Sequence, residues 1–145
     1  MEILKHAHSG LRWLVLASLL FAIFNALGKT NGSTPFTEKD KKLGLFALIF
    51  THTQFLIGLV LYSISPKVVF SGASMKDSVL RFFLVEHILI MLIAVVLITI
   101  GYSKSKKAQD NGKKFKLVLI FYLIGLVIML AGIPWPFQNY GTSWF

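Results

Sequence analysis

No cysteine occurs anywhere in this chain, and only six of its 145 residues are acidic. Without cysteine there is no disulfide, no Cys-ligated iron–sulfur cluster and no covalently attached c-type haem. Charge of any kind is scarce at 14%, and what there is leans basic, with fifteen Lys and Arg and a formal net charge of +9. No G-x-S-x-G, Walker loop, Gly-rich dinucleotide turn or paired-carboxylate arrangement is present. Internal repeats and low-complexity tracts are missing too. Hydrolytic and nucleotide chemistries therefore find no footing.

What is present is apolar. Hydrophobic residues make up 55%, thirteen of them Phe, and the mean hydropathy is +0.70. That lies outside the range of a soluble domain of this size, so the lipid bilayer is the expected solvent. Four runs approach the roughly 20 residues needed to cross about 30 Å of hydrocarbon: 3–27, 43–64, 79–102 and 117–133. Pro66 stops the second, and Pro134 and Pro136 stop the fourth. The expectation is one all-α domain, an integral membrane four-helix bundle running up-down-up-down. No small-residue cleavage site follows the first run and a charged loop does, so that run reads as a retained span.

Basic residues are unevenly shared between the two sides. Lys29, Lys39, Lys41, Lys42, Lys104, Lys106, Lys107, Lys113, Lys114 and Lys116 fall on one side, against Lys5, Arg12, Lys67, Lys76 and Arg81 on the other. Lysine-rich short loops stay cytoplasmic, which predicts both termini on the outer side of the membrane. Trp13, Trp135 and Trp144 fall on that outer side, where an aromatic belt is expected. The lysine loops lack the interleaved aromatics of a nucleic-acid surface, so no nucleic-acid partner is expected.

Four histidines sit in or beside these runs: His6, His8, His52 and His87. Ionisable side chains at membrane depth are costly and mark function or pairing. At about 1.5 Å per residue, His52 lies about 14 Å from the inner start of its span and His87 about 12 Å from its outer start. The two depths agree within a few residues, making His52 and His87 the first candidate axial pair for a haem iron, with His8 and His87 as the fallback. His6 is about 200° around the helix from His8 and is expected to face water. Gly58 lies within two turns of His52, where a flat ring could approach the helix. Haem propionates favour Arg near the interface, and Arg12, one turn after His8, and Arg81 are the candidates. Glu86, beside His87, is a proton relay, a quinone partner or half of an ion pair. A five-residue spacing sets Arg81 poorly against it on an α-helix, which favours Arg12. Gln54, Tyr62 and Asn25 complete the polar interior.

Several segments carry a resemblance: HSGLRW (8–13), FTHTQ (50–54), KDSVLRFFLVEH (76–87), ITIGYSKSKKA (98–108) and LAGIPWPF (130–137). Over almost its whole length the chain resembles a family of short four-span bacterial membrane proteins labelled cytochrome b or cytochrome-b-like. The resemblance implies one haem b and electron transfer, with His52 and His87 as ligands and His8 and Arg12 near the haem edge. A small subunit or partner of a larger membrane complex, with a quinone as candidate partner, is the role that follows. Two other roles stand beside it: a non-redox accessory subunit that uses its histidines for helix packing, and an enzyme of haem or porphyrin metabolism or a His-ligated metal site. The four-span protoporphyrinogen oxidases are similar in size, but this chain ends on IPWPF where that family has an Arg-Trp-x-Asn-type ending.

Overall fold

The computed structural model describes residues 1–142 and Trp144, and shows four long helices with no strand among them. α1 is Glu2–Ala26, α2 is Glu38–Ile64, α3 is Ser78–Lys107 and α4 is Asn111–Gly132, each long and apolar enough to cross a membrane. Successive helices are antiparallel neighbours, and α4 returns to pack on α1, closing the ring. Leu14, Phe21, Phe24, Phe46, Leu56, Ile93 and Val127 face outward. Such a surface suits hydrocarbon, as expected of a multi-pass membrane protein.

Helix ends overrun the apolar runs because capping, not hydropathy, sets them. Thr37 accepts from the Asp40 backbone N–H while the Asp40 carboxylate takes that of Thr37, so α2 begins five residues before its apolar run. Asp110 caps the Lys113 N–H, so α4 opens at Asn111 and its first lysines are already helical.

At one end of the bundle the helices pack closely beside a cavity of about 250 Å³ between Thr37, Asp40, Tyr102 and Lys114. α3 and α4 make the most extensive contact, through glycines: a Cβ at Gly101 would overlap that of Phe121, and one at Gly125 would lie 2.8 Å from Ile98. Backbones held this close gain the dispersion contacts that associate helices in lipid, where no hydrophobic drive operates between them. At the same end Tyr122 is fully buried and donates to the Gly44 carbonyl at 2.7 Å, and the Phe36 N–H donates to Asn111 Oδ1 at 3.1 Å, tying the two lysine-rich loops together.

α3 is not uniform. Residues Phe82–Glu86 form a π-helical turn between two α-helical stretches. That turn aligns residues five apart, and Arg81 Nε meets Glu86 Oε1 at 2.7 Å. The sequence-based preference for Arg12 as the partner of Glu86 is therefore corrected. The Leu84 carbonyl, within the turn, accepts from Tyr62 of α2 at 2.9 Å.

Candidate functional site

At the other end, where the first and last helical turns of the chain converge, the helices part around a cavity of about 330 Å³. α1 presents Lys5, His8, Arg12 and Leu16, spaced by three or four residues along one face. From α2 come Thr51, Gln54, Phe55, Gly58 and Tyr62, and from α3 Phe83, His87, Met91 and Val95. Met129 of α4, Lys67 after α2 and Pro134, Gly141 and Thr142 after α4 complete the wall. It is mostly apolar with a few convergent polar groups, the usual make-up of a small-molecule site.

Four buried side-chain atoms of the described residues have no partner within the protein: His8 Nδ1, Arg12 Nε, Thr51 Oγ1 and Gln54 Oε1. All four belong to residues lining this cavity. Each unpaired buried polar group costs about 1–3 kcal/mol.

His87 is oriented for ligation. Its Nδ1 sits 2.8 Å from the Gly132 carbonyl, which fixes the tautomer with the proton on Nδ1. Nε2 then carries the lone pair and makes no hydrogen bond among the described residues. This is the backbone-carbonyl support that metal-binding imidazoles use. His8 reaches the same cavity from α1, and neither of its ring nitrogens is hydrogen-bonded to a described residue. Its ring lies against Gly58, where a Cβ would stand 3.1 Å from His8 Cε1. The glycine thus makes room for an imidazole of this chain.

His52 is elsewhere. Its Nδ1 is 3.0 Å from the Leu48 carbonyl and its Nε2 3.2 Å from Thr99 Oγ1 on α3, so both nitrogens are engaged in helix packing. The cavity wall takes its neighbour Thr51, about 100° away around the helix. The pair chosen by depth, His52 and His87, is not brought together here, whereas His8 and His87 are. Arg81 and Glu86 are occupied with each other outside the cavity. Exposed His6 stands at its mouth, and Asn25 lies at the far end, donating to Asp40 at 2.7 Å.

Arg12 is gripped from the tail of the chain. Its Nη2 donates to the Trp144 carbonyl at 2.6 Å, and its guanidinium lies 5.3 and 5.8 Å from the Trp13 and Trp135 ring centres. Trp13, Trp135 and Trp144 are mutual neighbours at 6.0–6.4 Å. Lys67 and Thr51 were not singled out in the sequence. The signal for Thr51 was there, in a stripe of small and polar residues (Thr51, Gln54, Gly58, Tyr62) at helical spacing on α2.

Fold and site together define an α-helical bundle of membrane-spanning type with a histidine-bearing apolar cavity at one end. Comparison with family models, curated proteins and solved structures finds no match to this chain.

Proposed function

We propose that this chain is a membrane b-type haem protein, with one haem b seated in the cavity and single-electron transfer as its role. The observation that carries this reading is the shared wall of His8 and His87, two imidazoles from different helices, with His87 Nε2 left for a ligand by the Gly132 hydrogen bond. A bound haem would supply a one-electron iron couple. His87 and His8 would hold it, Arg12 would face a carboxylate, and Phe55, Met91 and Val95 would keep water from it. Four membrane-spanning helices around one small cavity favour work as a small subunit or partner of a larger membrane complex, and a quinone is the candidate redox partner. The lysine distribution supports both termini on the non-cytoplasmic side, which for a bacterial inner-membrane protein is the periplasm.

The purified protein is expected to show a Soret band and to yield one extractable haem b per chain. A preparation without porphyrin or iron, from cells able to make haem, would remove the reading. One observation favours a second role, an accessory subunit whose histidines serve packing: His52 already does so, bridging Leu48 and Thr99.

A further inference from the structure

The ion pairs among the described residues each join a cation to a carboxylate: Lys5 to Glu2, Lys29 to Asp40, Lys41 to Glu38 and Arg81 to Glu86. Two cations of the cavity wall stand outside that set. Arg12 donates to the Trp144 carbonyl, and Lys67 Nζ donates to the carbonyls of Tyr140 and Gly141 at 2.8 and 2.7 Å. A neutral carbonyl is a weaker acceptor for a cation than a carboxylate. Arg12 is nine-tenths buried and its Nε–H lacks a partner within the protein. Burial, and then the nearby charge of Lys5, hold the Lys67 ammonium below the ordinary lysine range. Among the described residues lining the cavity Glu2 is the sole carboxylate, and Lys5 engages it. The wall is short of negative charge.

We propose that Arg12 and Lys67 together seat a ligand carboxylate, and that residues 133–142 with Trp144 form a strap whose carbonyls that carboxylate displaces. This deepens the reading of the cavity as a ligand site and rests on it. The ligand class is a carboxylate on an apolar body, the body lying against Leu16, Phe55 and Met91. A haem propionate is one source of such a group and a long-chain fatty acid is another. Besides those two cations, Trp13 Nε1 donates to the Trp144 carbonyl at 3.2 Å, and Trp135 and Trp144 pack on Trp13. Thr142 Oγ1 donates to the Pro134 carbonyl at 2.7 Å, and the Tyr140 ring stacks on Phe82 at 4.2 Å. Arg81 takes no part, because Glu86 already neutralises it.

The test titrates the full-length protein in lipid nanodiscs with haemin, haemin dimethyl ester, palmitate and methyl palmitate. Wild type is compared with Arg12→Gln, Lys67→Gln and Lys67→Arg. At least one acid is expected to bind about tenfold tighter than its ester, the scale of a hydrogen bond to a charged group. Lys67→Gln and Arg12→Gln should erase that preference, whereas Lys67→Arg should keep it. Should Arg12→Gln not fold, the two Lys67 variants decide, because Lys67 lies outside the helices. Haemin bound equally as acid and ester, with no preference for palmitate, overturns this proposal and leaves the haem reading standing. Acid-selective palmitate binding without haemin binding does the reverse. Failure to bind any of the four compounds overturns both.

Discussion

The two ends of this bundle solve opposite problems with the same materials. At the lysine-loop end, polar side chains are paired within the protein: Tyr122 on Gly44, Asn25 and Lys29 on Asp40, Ser105 on the Lys114 carbonyl. Glycines there let helices touch. At the chain-terminal end Gly132 packs as closely on Ile90, but Gly58 admits an imidazole, and the four unpartnered buried atoms of the described residues belong to residues lining a shared cavity. In a medium with no water to satisfy polar groups, self-satisfied contacts stabilise a fold and unsatisfied ones cost it stability.

The contrast can be broken most forcefully at its glycines. Gly101→Ala drives a Cβ into Phe121, and overpacking of this kind costs about 1–3 kcal/mol. Gly58→Ala meets only the movable edge of His8, so a much smaller fall in thermal midpoint is expected, with any ligand spectrum altered instead. Equal destabilisation by both would erase the distinction. Next in size, Tyr122→Phe removes a buried hydrogen bond and should cost about 1 kcal/mol, measured by unfolding in detergent. Thr51→Val removes a hydroxyl with no partner in the protein and should leave the ligand-free protein as stable as before, or more so. A loss matching that of Tyr122→Phe would mean that the Thr51 hydroxyl is satisfied after all. Smallest in energy, since both sites are exposed, is a pair of thiols introduced by Gln109→Cys and Gly72→Cys. An impermeant reagent on intact cells should label the second and spare the first; the reverse pattern would invert the topology.

Much of the fold was legible because apolar runs and proline stops are strong local signals, as Pro66 and Pro134 show. α2 and α4 begin several residues before their apolar runs because Thr37, Asp40 and Asp110 cap segments that hydropathy alone ignores. Within the site, depth along a helix was readable and azimuth was not. His52 and Thr51 differ by one residue and almost nothing in depth, yet one meets Thr99 and the other the cavity. The Arg81–Glu86 pair was obscured by the π turn, whose wider spacing no pattern of α-helical period reveals.

The central claim is that the chain-terminal half holds the ligand through His87 and His8, while His52 serves packing. Reduced-minus-oxidised absorption spectra of wild type, His87→Ala, His8→Ala and His52→Ala, purified side by side, test it directly. The expected result is a six-coordinate low-spin b-type spectrum in wild type and His52→Ala, with haem lost or five-coordinate in both other variants. A spectrum abolished by His52→Ala and untouched by His8→Ala would contradict the account.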